Sequence, residues 1–165
     1  MKLTKLVAVL GLLLILLAVN WSIYKQEQVL AQGKTVLLKL APVDPRSLMR
    51  GDYMALQFEI ANQIRSALLH QNADSQTPYK LEPQEGYVVV KLNQQNQAEF
   101  VRIDHGDALV GNELRLFFRV RHGMVKFATN AFFFQEGKAS EYENAEFGEF
   151  RVGDDGNLLL VDLKQ

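Results

Sequence analysis

The residues best able to do chemistry are concentrated in one stretch, residues 44–60, which reads "DPRSLMRGDYMALQFEI". Arg46 and Arg50 stand four residues apart, so a helical turn would place both guanidinium groups on one side. Such a pair could hold an acidic group, either from a ligand or from the protein itself, for example Asp52. Like the two arginines, Tyr53 has no clear packing role. The stretch therefore contains the ingredients of a binding site.

Most of the same stretch can also be explained by structure alone. Asp44 suits a helix N-cap, with Pro45 at the first helical position and Gly51 as the residue that ends the turn. Asp52 can then bond its own backbone at the entry to a strand. We favour this structural interpretation. The alternative is a hydrolase or ligand-sensing site in which the fold draws together a carboxylate and arginine cluster: Asp44, Arg50, Asp52 and Glu136.

The N-terminus is the strongest signal for location. Lys2 and Lys5 precede residues 6–19, "LVAVLGLLLILLAV", which have no polar side chain, and Trp21 and Tyr24 follow. About 20 residues of this kind are enough to span a bilayer, and lysines on one side favour a cytoplasmic N-terminus with an exported remainder. We expect an uncleaved anchor at residues 1–24. A cleaved signal peptide is the main alternative, and a buried core helix is the third.

Composition excludes several classes of protein. The chain has 165 residues, a formal net charge of −1 and no cysteine. The charge argues against a nucleic-acid binder, and the lack of cysteine removes disulfides, thiol nucleophiles and cysteine-based zinc sites. The three histidines are scattered, and no glycine-rich phosphate loop or nucleophile elbow is present. We therefore expect no metal and no cofactor, and we assign no catalytic residue.

Periodicity predicts a β-rich exported domain at residues 34–165, after a polar segment at 25–33 that could continue the helix or act as a short stalk. Strands are expected at 35–41 and 53–60, the second with Met54, Leu56, Phe58 and Ile60 on one face, and a helix at 61–70. Further strands are expected in three hairpins near residues 87–103, 113–134 and 147–163, and a helical turn near 138–144. The predicted fold class is α+β, mostly antiparallel β in a sandwich or barrel-like sheet, with one or two short helices.

One strand also carries a basic strip. Arg115, Arg119 and Arg121 alternate with apolar residues and share a face with Phe117. The favoured interpretation is a solvated outer face. The alternative is a surface for anionic lipid headgroups or an acidic partner.

The stretch "GDYMALQF" resembles the signature of the GDYXXLXY family of bacterial membrane-anchored proteins. Gly51, Asp52, Tyr53 and Leu56 match this signature, and Phe58 stands where the signature has tyrosine. The upstream Asp44–Pro45 pair, the aromatic-rich segment that ends in Glu136 and Gly137, and the closing "DGNLLLVDL" extend the resemblance over roughly residues 38–163.

This resemblance implies a single-pass protein of the bacterial inner membrane with a periplasmic β-rich domain. It also implies a partner, because genes of such families often lie beside that of a multi-spanning membrane protein. It implies no known reaction. We therefore expect an accessory or binding domain that associates with an integral membrane protein.

Overall fold

The structure is a computed structural model that describes residues 2–41, 53–71, 81–129 and 131–165. Three helices are described: α1 Lys2–Gln32, α2 Glu59–Gln71 and α3 Ala139–Tyr142. Nine strands lie within the described ranges: β1 Lys34–Lys39, β2 Tyr53–Ala55, β3 Gln84–Leu92, β4 Ala98–Ile103, β5 Glu113–Arg121, β6 Met124–Lys126, β7 Ala131–Phe133, β8 Phe147–Val152 and β9 Leu158–Lys164.

The strands form three sheets in which all paired strands are antiparallel. Their orders are β1-β8-β9, β2-β7 and β4-β3-β5-β6. A single parallel bridge between Leu37 and Gln97 joins the edge of the first sheet to the start of β4. The strands curl into a half-barrel, and the fold is α+β and mostly antiparallel, as predicted.

One apolar core fills the space between the sheets and α2. Its largest fully buried side chains include Phe58, Phe118 and Phe150. From α2, Ile60, Ile64 and Leu68 point into this core, because positions four residues apart share one helical face. The amphipathic pattern that predicted the helix therefore also predicted its buried face.

Most predicted elements are confirmed. The strand at β1 buries Val36 and Leu38, and the helix near 61–70 is present as α2. The three hairpins occur as β3–β4, β5–β6 and β8–β9, and the helical turn near 138–144 is present as α3. The stretch 124–134 is not one strand, however: β6 ends at Lys126, and β7 pairs with β2 instead of β5. His122 and Gly123 adopt φ of 53° and 72°, the positive values that a two-residue hairpin turn of this kind requires.

The prediction of one strand over residues 53–60 is wrong. The strand ends at Ala55, and α2 already begins at Glu59. Met54, Leu56, Phe58 and Ile60 are all buried, as predicted, but they reach the core from a short strand, a connecting segment and the first turn of a helix. The alternating pattern of apolar residues therefore predicted correctly which side chains are buried, but it predicted the wrong secondary structure for residues 56–60.

Helix α1 continues through the segment predicted as helix or stalk. It ends at Gln32, and one residue, Gly33, separates it from β1. The amide of Gly33 donates to the carbonyl of Val29 at 2.9 Å, and a side chain of Val29 lies against the β8–β9 turn at Gly153. The last turn of α1 is thus seated on the domain, with no flexible spacer between them.

The apolar part of α1 makes no such contact. The helix is long and apolar enough to cross a membrane, and its most apolar 18-residue window has no buried residue. This contradicts the core-helix alternative, because a core helix would be covered by the domain.

Candidate functional site

The tyrosine of the family motif and the aromatic-rich segment before Glu136 lie on neighbouring strands, β2 and β7, which form a two-stranded ribbon. In the register of β2 and β7, Tyr53 lies opposite Phe133 and Ala55 lies opposite Ala131. The rings of Tyr53 and Phe133 are 5.8 Å apart, centroid to centroid. Since β2 begins opposite the end of β7, the chain that leaves β7 toward Glu136 emerges at the end of the ribbon where Tyr53 lies. The sequence did not indicate this pairing, because β2 and β7 are far apart along the chain.

The second half of the motif has a structural role. The fold buries Leu56, and Phe58 is only 1% exposed. The ring of Phe58 makes edge contacts with Phe127 and Phe150, at centroid distances of 5.9 and 5.4 Å. Phe58 also pairs with Leu40 in an antiparallel bridge, which holds this segment beside the end of β1. Phe58 is thus a central packing residue and offers no surface to a ligand.

Six of the predicted site residues lie outside the described residues: Asp44, Pro45, Arg46, Arg50, Gly51 and Asp52. The predicted helical turn near 45–49 lies there too. Glu136 is exposed, and Gly137 beside it has a φ of 83°, which a glycine adopts without strain. Within the described ranges, Glu136 makes no ion pair. The carboxylate and arginine cluster therefore stays a prediction.

The ribbon presents aromatic surface to solvent. Phe133 is 75% exposed, and Tyr53 beside it is partly buried. On either side of Phe133 in sequence, Phe132 and Phe134 both contact the ring of Tyr142 in α3, at centroid distances of 4.9 and 5.6 Å. A half-buried aromatic cluster thus lies beside one exposed phenylalanine, an arrangement that suits an aromatic anchor at a protein interface.

A second polar constellation lies on the outer face of β4, β3 and β5. Asp104 accepts a hydrogen bond from Nε of Arg115 at 2.7 Å, and Glu113 accepts one from Arg102 at 2.8 Å. These contacts hold the 104–112 loop across the sheet, where Val89 is fully buried although it faces away from the main core. From sequence alone, "DHGD" at residues 104–107 indicates a solvated turn because of its glycine, with a catalytic cluster of two carboxylates and a histidine as the less favoured alternative. The signal that this interpretation missed is the pair of arginines on the flanking strands.

The electrostatics of this loop keep both carboxylates ionised. Burial acts to raise the pKa of Asp104, but the hydrogen bonds from Arg115 and from the amide of Gly106 outweigh it and hold that pKa below its ordinary value. The hydrogen bond from Arg102, with one from the amide of Val110, lowers the pKa of Glu113. Carboxylates that are ionised and already engaged are poor proton carriers at neutral pH. The arrangement is a structural clasp.

Metal binding has no support in the described ranges. They contain no group of three or more histidine, aspartate and glutamate side chains that could hold a metal ion. The imidazole of His105 lies within 3.3 Å of the side-chain amide of Gln71, so it contacts α2.

The comparisons with known proteins agree with the motif. A search of curated proteins and a search of solved structures each found no match. The family model described as GDYXXLXY protein matches residues 15–163, which include most of α1 and all but the end of the domain. The chain therefore belongs to the GDYXXLXY protein family.

Proposed function

We propose that the chain is a membrane-anchored accessory subunit whose β-rich domain faces the periplasm and binds a multi-spanning protein of the bacterial inner membrane. The observation that carries this proposal is helix α1. Its apolar side chains are exposed from Leu6 to Tyr24, whereas its last turn contacts the domain through Val29 and Gly33. An apolar surface of this size needs lipid or protein around it, and the rigid junction then keeps the domain close to the bilayer.

The ends of α1 support the proposed orientation. Lys2 and Lys5 lie at its first end, where positive charge favours the cytoplasmic side. Trp21 and Tyr24 lie toward the other end, with ring centroids 6.3 Å apart, at the depth where aromatic side chains favour a membrane interface. The helix continues for eight residues beyond Tyr24, about 12 Å, before the domain begins.

The exposed aromatic pair supports the proposed partner. Phe133 and Tyr53 form an apolar patch on the domain, and the half-buried cluster of Phe132, Phe134 and Tyr142 supports it. Confinement of both proteins to one membrane raises their effective concentration, so a small patch is enough for association. The patch includes the tyrosine of the family motif, which would explain why that residue has no role in the core.

Extraction with a mild detergent followed by affinity purification of the tagged full-length chain tests this proposal. We expect a multi-spanning membrane protein to be recovered with the wild-type chain and to be lost with the double variant Tyr53→Ala and Phe133→Ala. Val161→Ala is the matched control, since Val161 is an exposed apolar residue on β9, away from the ribbon. Persistent recovery of the wild-type chain alone would contradict the proposal.

A further inference from the structure

Of the three arginines in the basic strip on β5, two form ion pairs with carboxylates and one does not. Arg115 is paired with Asp104, and Arg121 is paired with Glu85 at 2.6 Å. The side chain of Arg119, between them, is exposed and forms no ion pair or hydrogen bond with any residue that the structure describes. Glu85 lies opposite Arg119 in the β3–β5 register, yet its carboxylate reaches across to Arg121. The central arginine of the strip is left with its charge uncompensated.

The neighbouring strand adds a second free cation. Lys126 on β6 lies directly opposite Arg119 in the antiparallel register, and it too has no ion pair within the described part of the chain. Like charges that face each other on adjacent strands repel, so this pair costs free energy in the absence of an anion. The other arginines that the structure describes on this face, Arg102, Arg115 and Arg121, each have a carboxylate partner. The Arg119–Lys126 pair is the exception.

These cations line a groove. It has a volume of about 380 Å³, with Arg119, Arg121 and Lys126 on its sides. The rest of the lining consists of Phe127, Ala128, Thr129 and Ala131. The hydroxyl of Thr129 donates to the carbonyl of Ala131 and accepts from its amide. This volume lies toward the lower end of the range for small-molecule sites, which suits a small ligand or a headgroup.

The charge of the groove selects the class of ligand. Two uncompensated positive charges match a phosphate monoester, which carries about −1.5 to −2 at neutral pH, better than they match a single carboxylate. The guanidinium of Arg119 can bind two phosphate oxygens at once, and the ammonium of Lys126 contributes a compact charge beside it. We propose that the groove at Arg119 and Lys126 binds a phosphate monoester group, carried either by a small soluble molecule or by a lipid headgroup.

Calorimetric titration of the full-length chain in neutral detergent tests this inference, which does not depend on the proposed membrane partner. The probes are inorganic phosphate, glycerol phosphate and short-chain phosphatidate, with short-chain phosphatidylcholine as the lipid control. We expect saturable binding that weakens as ionic strength rises. Equal affinity for glycerol phosphate and phosphatidate would indicate a soluble ligand. Clear preference for phosphatidate would indicate a lipid headgroup.

Charge reversal identifies the site. The double variant Arg119→Glu and Lys126→Glu should bind at least about tenfold more weakly, because it replaces two attractive contacts with repulsive ones. Arg65→Glu is the matched control, since Arg65 is exposed on α2 and does not line the groove, and its binding should be unchanged. If charge reversal impairs folding, Arg119→Gln with Lys126→Gln replaces it. Wild-type affinity in the folded double variant, or no saturable binding by the wild-type chain, would overturn the inference.

Discussion

Phe58 occupies the position where the family signature has tyrosine, and its ring is enclosed by those of Phe127 and Phe150. The phenylalanine therefore keeps the aromatic packing, and nothing polar is needed for its place in the core. We expect Phe58→Ala to lower the free energy of unfolding by about 3–5 kcal/mol, because a large cavity would remain in a well-packed core. Chemical denaturation in detergent, followed by circular dichroism, measures this change.

Phe133→Ala is the matched control for that experiment. It removes the same ring from a site that is 75% exposed, so its stability should stay within about 0.5 kcal/mol of the wild type. A similar loss of stability in both variants would show that Phe58 has no special role in the core. The comparison also separates the packing residue of the motif from the exposed surface proposed to bind a partner.

The clasp between Asp104 and Arg115 should make the domain sensitive to acid. The folded state lowers the pKa of Asp104, so the stabilisation is complete above the ordinary aspartate pKa, near 4, and is lost as the pH falls through the lower, folded value. We expect Asp104→Asn to lower stability at pH 7 by about 1–2 kcal/mol, because a hydrogen bond between charged groups is removed. It should also flatten the decline of stability below pH 5.

Denaturation curves measured between pH 3 and pH 7 test the clasp. Asp154→Asn is the control, since Asp154 is exposed on the β8–β9 turn and has no ion pair within the described ranges. Parallel pH profiles for the wild type and Asp104→Asn would show that this carboxylate does not contribute to acid sensitivity. Loosening of the 104–112 loop should also expose Val89, which hydrogen exchange in β3 would report.

At the level of elements, the sequence predicted the strand pairs whose members are close along the chain. The β3–β4, β5–β6 and β8–β9 hairpins have their strands close in sequence, and their alternation and turn residues were sufficient to predict them. The pairings of β1 with β8 and of β2 with β7 join distant segments, and no local pattern encodes them. The same distance concealed the ribbon that brings Tyr53 to Phe133.

The strand predicted at residues 53–60 failed for a different reason. Ile60 fits a period of two with Phe58 and a period of four with Ile64, so one apolar residue satisfied both patterns. Core packing decides between them, and it begins α2 at Glu59. The buried residues of the candidate site were therefore predictable, whereas the element that carries each of them was not.

The junction between α1 and β1 depends on Gly33. A Cβ atom at this position would overlap the backbone carbonyl oxygen of Val29 and lie 3.0 Å from that of Val152, so neither neighbour can move aside cheaply. We expect Gly33→Ala to weaken the seat of the helix and to lower the stability of the domain by about 1–3 kcal/mol. Thermal unfolding in detergent measures the second effect.

Spin labels at Gln26 and Asp154 would report the junction directly, because a broader distance distribution indicates a mobile helix. Gly11→Ala is the matched control: a Cβ there meets nothing within 4 Å, and alanine favours the helix over glycine by about 1 kcal/mol. Loss of stability in both variants would point to a general effect of substitution in α1, and the junction would then have no special role.

At the level of the whole molecule, the rigid junction determines where the domain lies. A helix that ends one residue before β1 leaves the domain little freedom to move away from the end of α1, and so from the bilayer that we propose α1 to cross. The β8–β9 turn contacts α1 at Val29. The same turn is hydrogen-bonded to β5, because the amide of Phe117 donates to the carbonyl of Gly156 at 2.8 Å. The end of the domain with this turn therefore faces the membrane in the proposed orientation.

The absence of cysteine allows this orientation to be mapped with single introduced cysteines. In intact cells with a permeable outer membrane, a maleimide that cannot cross the inner membrane should label Asp154→Cys and leave Thr4→Cys unlabelled, because the N-terminal lysines favour the cytoplasmic side. Thr4→Cys should react after the membrane is disrupted, in a protein of full length that resists extraction by carbonate. A mature protein without Thr4→Cys would identify α1 as a cleaved signal peptide, and the reverse labelling pattern would place the domain in the cytoplasm.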